Sequence, residues 1–531
     1  MSFDLDLIIR NGIVVTASDQ VPCDIGIKDG KIALLAQGIP AQQGCDEIDA
    51  EGGCVTPGGI DSHVHIAQSA TKSLGAVSAD SWTSGTRRGT TTVIAFAVQN
   101  RGMSLAQAAA DYHRLSDGHA LCDFGFHLIV TDPNDKQMHV ELPKMVEQGI
   151  TSVKIYMTYA ALKLNDSEIL DVLLATRKYG VTTMVHCENA DVYVPLYPLP
   201  SYPPFHPYPR LSIPRRIEWM TRSLESRGMT EPWHHGTSRP PIVEAEATHR
   251  ALALAELMDT PLLIVHVSAP DAVRTIRNAQ TRLLPVCART DSKAPSACAR
   301  PPLRDDPRDK ERVWEGLANG TFTVFSSDHA PTNYHDERGK QRSPPAIDED
   351  DWINFFDFLF WKNPRGNFRA IPNGLPGVET RAPLLWSEGV LKGRITPQRF
   401  VELSSTNAAK LYGMYPQKGT IQPGSDADLV IWRAADKRVP HIITNDKVFF
   451  FLLPFPFCPL QKKKRQNSKF TSNQLHHAVD YTPFEGFELQ DWPRYTLLRG
   501  KVVYDGASNK VTAELGYGRF LKRGKSSLPY A

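Results

Sequence analysis

A chain of 531 residues, 41% hydrophobic and 22% charged, is too long for one small core and fits a large domain beside a smaller one. The formal net charge of +2 excludes the basic footprint of a nucleic-acid binder. Eight cysteines without a C-x-x-C pair exclude a zinc ribbon or disulfide scaffold and read as free thiols in a reducing compartment.

The opening MSFDLDLIIRNG lacks the basic and apolar regions of a signal peptide. The most apolar stretch, Val448 to Leu460, is broken by three prolines and falls short of the ~20 apolar residues a membrane span needs. A soluble, cytoplasmic protein is expected. In residues 1–55, Asn11-Gly12 inside LIIRNGIVV and Asp29-Gly30 inside IGIKDGKIALL both predict hairpins. Eight apolar runs follow: GGIDSHVH (58–65), TTVIAFAVQ (91–99), FGFHLIVTD (124–132), SVKIYMTY (152–159), TTMVHCEN (182–189), LLIVHVSA (262–269), LLPVCAR (283–289) and TFTVFSSDH (321–329). Helical patterns such as DSEILDVLLATRKYG and VEAEATHRALALAELMD lie between many of them. This alternation predicts a (β/α)8 TIM-like barrel over 56–415. A doubly wound sheet is the alternative, but no G-x-G-x-x-G follows the first strand.

Strand patterns return in DADLVIW (426–432) and in LLRGKVVYDG (497–506), which echoes IIRNGIVV. Residues 416–515 are therefore expected to join 1–55 in a small β-sandwich domain built from both chain ends, with 516–531 as a tail. Three segments break the rhythm: the proline-crowded 193–216, the stretch 342–361, and 448–473, where a phenylalanine-rich run meets QKKKRQNSK. Each reads as a loop insertion. SH3-ligand or nuclear-localisation readings of the first and last are the sharper but weaker alternatives.

His63 and His65 end the first barrel strand. Residues i and i+2 share a strand face, so both imidazoles reach one metal. Alone, H-x-H is a weak signal. His186, His266 and Asp328 recur at equivalent strand ends, where barrel enzymes place their chemistry, although Asp328 also suits an N-cap. Lys154 lies between Val153 and Ile155 in a strand buried on both faces, where an ammonium is costly. Two readings stay open: an ion pair with a carboxylate such as Asp328, or a neutral amine that takes up CO2 to become a carboxylate.

PGGIDSHVH, SVKIYMTY, MVHCEN, HGTSRPPIVEAEA, LIVHVS, SSDHAP, NGLPGVETR, STNAAKLYGMYPQKGTIQPGSDADLVIW and VDYTPFEG together resemble the dihydropyrimidinase/hydantoinase branch of the amidohydrolase superfamily, over most of the chain. The resemblance implies two zinc ions, one among His63, His65 and Asp328 and the other at His186 and His266. Carbamylated Lys154 and a hydroxide would bridge them. It further implies Asp328 as general base and then acid, Tyr159 as hydrogen-bond donor to the developing oxyanion, and Asn373 as a substrate grip. The implied reaction opens 5,6-dihydrouracil or dihydrothymine to the N-carbamoyl-β-amino acid, and the implied assembly is a homotetramer. Hydantoinase, allantoinase and dihydroorotase share the ligand set; a non-catalytic collapsin-response-mediator-like scaffold is the reading of another class, opposed by the filled ligand positions.

The chain departs from the family at Ala299-Arg300-Pro301-Pro302, where a serine is expected before the prolines. The segments 193–216 and 448–473 interrupt family motifs and have the composition of translated introns. A transcript carrying both in frame would rule that origin out.

Overall fold

The computed structural model describes residues 4–67, 88–159, 161–190, 217–231, 234–291, 306–334, 371–444 and 471–528, with Pro302, Arg304 and Phe368. The interrupting segments 193–216 and 342–361, Arg300, and 448–473 up to residue 470 lie outside them.

Five strands come first: β1 (Leu7–Val15), β2 (Gln20–Lys28), β3 (Lys31–Ala36), β4 (Asp46–Asp49) and β5 (Cys54–Pro57). Asp29 and Gly30 form the expected turn between β2 and β3, with φ of 50° and 74°. Asn11-Gly12 does not turn the chain. β1 runs straight through it, and its register against β2 slips between Ile9 and Gly12. Asn11, at φ 53°, donates its N–H to Asp24 Oδ1 at 3.0 Å. A bulge absorbs the positive φ that a hairpin would otherwise use. The echoing LLRGKVV does turn, at Arg499-Gly500 (φ 47° and 74°).

Eight strands then form one parallel sheet in strict chain order: β6 (Gly59–Val64), β7 (Thr90–Val98), β8 (Asp123–Ile129), β9 (Ser152–Tyr156), β10 (Thr182–His186), β11 (Leu262–Ile264), β12 (Val286–Asp291) and β13 (Val324–Ser326). A parallel bridge between Val64 and His329 joins the last strand to the first and closes the barrel. β12 starts three residues later than LLPVCAR suggests, because Leu283 sits exposed at φ 61° and Pro285 precedes the ladder. Alternation along β7 separates two buried layers. Ile94 and Phe96 point inward with Ile60, Ile129, Met184 and Val324. Val93, Ala95 and Ala97 face the surrounding helices. Capping places the helices: α1 (Leu105–Ser116) starts on Ser104, α2 is Leu142–Glu147, and α3 (Asp166–Tyr179) has a capping box of Asn165 and Glu168.

The remaining strands are β14 (Leu429–Ile431), β15 (His441–Thr444), β16 (Thr471–Gln474), β17 (Glu488–Leu489), β18 (Tyr495–Leu498), β19 (Lys501–Asp505) and β20 (Lys510–Val511). The two chain ends do meet. β14 pairs with both β5 and β18, giving a nine-stranded sheet ordered β20-β19-β18-β14-β5-β1-β2-β3 with β4 beside β1. β15, β16 and β17 form a separate three-stranded sheet. A buried ion cluster fastens the large sheet to the N-terminal end of the barrel. Lys418 Nζ lies 2.6 Å from Asp123 at the start of β8, 2.7 Å from Asp428 and 3.1 Å from Asp426. Among the described helices, none is long and apolar enough to cross a membrane.

The segment after Gly516 docks under the barrel. Phe124 N–H donates to Arg519 O at 2.9 Å, and Leu521 N–H donates to Phe124 O at 2.7 Å. Arg523, fully enclosed, donates to Phe126 O and, at 3.0 Å, to Ser152 Oγ. Charged hydrogen bonds of this kind are worth about 1.5–3 kcal/mol. Arg523→Ala is expected to lower stability by at least that order. A urea unfolding curve unchanged from wild type would show the plug to be idle.

Candidate metal centre

Five of the expected ligands stand at the C-terminal ends of their strands, the mouth of the barrel, and Lys154 lies in the middle of its own. His63 lies in β6 and His65 just past it; Lys154 is in β9, and His186 ends β10. His266 and Asp328 each lie two residues beyond their strands, β11 and β13. The mouth brings together three donors: His63, His65 and Asp328 present ligand atoms all within 4.8 Å of one another. His63 Nε2 is 3.1 Å from Asp328 Oδ1, and His65 Nε2 is 3.6 Å from the same oxygen. Lys154 Nζ, buried, approaches His63 Nε2 at 2.9 Å and sits 4.5 Å above the Phe96 ring.

The other two imidazoles form a pair of their own. The His186 and His266 rings meet edge to face at 4.2 Å, and His266 lies 5.7 Å from the His63 ring. His186 Nε2 is 3.6 Å from Glu188 Oε2, and the other oxygen of Glu188 is 3.7 Å from Arg239 Nε. Burial holds the His186 imidazole below its usual pKa, against the pull of Glu188. A neutral imidazole is the form that binds a metal. The turn after His266 is pinned by Glu244, which accepts from Ser268 N at 2.7 Å, Ser268 Oγ at 2.6 Å and Ala269 N at 2.9 Å.

Tyr159 sits three residues beyond β9, its ring 5.4 Å from that of His186. Its φ is 66°, that of His266 is 40° and that of Asp328 is 48°. Side chains other than glycine held there store about 1–3 kcal/mol each and persist only where the surroundings enforce them. Asn373 is placed differently. It lies two residues before Leu375, which bridges to His329. Its buried Oδ1 has no hydrogen-bond partner among the described residues. The structure sets it near the strand carrying Asp328 without joining it to the ligand group.

Several residues that shape the site carried no role in the sequence reading. Phe96 stacks on His65 at 4.8 Å and meets His63 edge-on at 4.4 Å. His329 Nδ1 accepts from Gly377 N at 3.0 Å and Val378 N at 3.3 Å. Asp61 is buried beneath His63 and accepts from its N–H at 3.4 Å. Asp61 was not detectable by alternation, because the register of β6 against β7 shifts between Asp61 and Val64. Imidazoles and a carboxylate converging in a buried mouth suit a borderline cation such as zinc.

The profile of the amidohydrolase family matches residues 54–194 and 260–503. The chain is 35% identical over 544 aligned positions to a D-hydantoinase of Ralstonia pickettii, covering 98% of this chain and 99% of the relative. It is 34% identical over 541 positions to a D-hydantoinase of Geobacillus stearothermophilus, covering 98% and 96%. The crystal structure of dihydropyrimidinase from Brevibacillus agri superposes with a TM-score of 0.79 at 32% identity, over 98% of this chain and 99% of that one. These matches run through the strands that carry the mouth, and the chain is an enzyme of the amidohydrolase family, similar to its hydantoinase and dihydropyrimidinase members.

Proposed function

We propose that the chain is a dihydropyrimidinase that opens 5,6-dihydrouracil and dihydrothymine to N-carbamoyl-β-amino acids, as in reductive pyrimidine catabolism. The convergence of His63, His65 and Asp328 beside the buried Lys154 carries the metal-dependent part of this reading, and Tyr159 with VDYTPFEG favours dihydropyrimidinase among enzymes that share the ligand set. His63, His65 and Asp328 would hold one zinc ion and His186 and His266 the other. Two cations, when bound, would lower the pKa of metal-bound water and make hydroxide available at neutral pH. Lys154 Nζ, as the free amine, would add CO2 with loss of a proton, and the resulting carboxylate would help hold the cations.

Asp328 takes the proton from the attacking water at a carboxylate oxygen and returns it to the ring nitrogen that leaves. Tyr159 aims its phenol O–H at the carbonyl oxygen as negative charge develops there. Asn373 offers its backbone groups to the imide edge of the ring. The surrounding rings of Phe96 and Tyr156 keep the mouth apolar, which strengthens each of these contacts.

The reading assigns 56–415 to the barrel, with 1–55 and 416–515 completing a β-sandwich around it, in a cytoplasmic homotetramer. A hydantoinase reading is favoured by the names of the similar relatives. Purified protein supplied with zinc and bicarbonate, assayed on dihydrouracil, hydantoin and allantoin, separates the two. Loss of dihydrouracil absorbance at a rate above that on hydantoin is expected. Hydantoin turnover alone would favour the second reading, and allantoin turnover alone would overturn both.

A further inference from the structure

The ring of eight strands has a weak joint, and both halves of the His63, His65 and Asp328 group sit across it. Among the described residues, β6 and β13 share no run of ladder pairs. The joint is the bridge of Val64 to His329, with His65 N–H donating to His329 O at 2.6 Å. Just below it, the carboxylate of Asp61 is fully enclosed. Its Oδ1 accepts from Ser327 N at 3.1 Å and from His63 N at 3.4 Å. One oxygen thus holds the backbone of the residue before Asp328 and the backbone of a histidine on the opposite strand. Its Oδ2 lies 3.6 Å from Arg381 Nε. Arg381 is also enclosed, and its Nη1 donates to Phe325 O in β13 at 2.9 Å.

We infer that Asp61 is a positioning residue that sets the spacing between His63, His65 and Asp328, and that Arg381 holds it in place. The inference rests on the metal-centre reading of these three side chains. Its physical basis is the backbone of Asp328, at φ 48°. A carboxyl residue keeps that conformation only where neighbours impose it, and the Ser327 N–H bond to Asp61 is imposed one residue upstream. Without Asp61 that donor loses its acceptor, the turn is free to relax, and Asp328 moves away from the two imidazoles. Partners that orient ligands in this manner change metal affinity by about 10- to 100-fold when removed.

The test compares zinc binding and zinc release to a chelator in wild type, Asp61→Ala, Asp61→Asn and, as a control for general destabilisation, Arg523→Ala. Asp61→Ala is expected to bind zinc at the His63, His65 and Asp328 group about 10- to 100-fold more weakly. The equivalent at His186 and His266 should be retained. Asp61→Asn keeps an accepting oxygen and loses the charge facing Arg381, so its release rate should fall between those of wild type and Asp61→Ala. Zinc-loaded variants should show a lowered kcat with KM little changed. If Asp61→Ala does not fold, faster zinc release from Asp61→Asn than from wild type supports the inference, and wild-type release overturns it. Wild-type affinity in Asp61→Ala, or zinc loss no greater than that in an equally destabilised Arg523→Ala, also overturns it. Wild-type protein that takes up no zinc in the presence of bicarbonate defeats the metal-centre reading first, and is thereby told apart from failure of the clamp.

Discussion

Replacing Lys154 with alanine is expected to abolish ring opening, and small carboxylates such as acetate or propionate to restore part of it. Lys154 is 1% exposed, with Nζ 2.9 Å from His63 Nε2 and 4.7 Å above the Tyr156 ring. On the proposed reading, the free amine of Lys154 is the form that accepts CO2. On that reading, alanine would remove a carboxylate shared by both cations. Its effect should exceed the ~10²- to 10⁴-fold that loss of a single general base produces. The slot left by the lysine stem is open to a short carboxylate diffusing in. Turnover and zinc content measured with and without added acetate decide the matter. Near-normal rate and metal in Lys154→Ala would end the carbamate reading.

The second large effect is expected at Asp328. Its Oδ1 sits against both His63 and His65, at 3.1 Å and 3.6 Å, the position from which the proposed mechanism has it act as ligand and as proton carrier. Asparagine keeps a neutral oxygen for the ligand role and cannot take the proton. Asp328→Asn should lower kcat by about 10²- to 10⁴-fold while retaining more zinc than Asp328→Ala. Equal zinc loss in the two variants would assign Asp328 to metal binding alone. Full activity in Asp328→Asn would remove it from the proton path.

The barrel was legible because its strands are buried on both faces and read as unbroken apolar runs, from TTVIAFAVQ to TTMVHCEN. Polar residues at strand ends, and Lys154 within its strand, stood out against that background, which is why six candidate ligand positions were visible in the sequence. Turn chemistry was less decisive. Asn11-Gly12 and Asp29-Gly30 look alike in sequence, yet one bulges and the other turns. The difference is Asp24 on the neighbouring strand, which accepts the Asn11 N–H. Glu188 is a local partner of His186, two residues on, whereas Arg239 and Glu244 were illegible as supports because they reach Glu188 and the turn after His266 only in the folded barrel. The grip of Asp61 on Ser327 spans 266 positions and belongs to tertiary structure. The expected tail hides a comparable case, since nothing local in LKRG announces a residue buried under β8.

That residue ties folding to the clock of translation. Phe126 and Arg523 are 397 positions apart, an interval of roughly 20–80 s at about 5–20 residues per second. Throughout it the nascent barrel has an open underside. Phe124 and Phe126, which later pack on Phe520 at 5.9 Å and 5.4 Å, are left without that cover. A ribosome stalled near the end of the message would hold a chain whose catalytic mouth is already encoded but whose base is unsealed. Until residues 516–523 emerge, the cover that Phe520 gives Phe124 and Phe126 is missing.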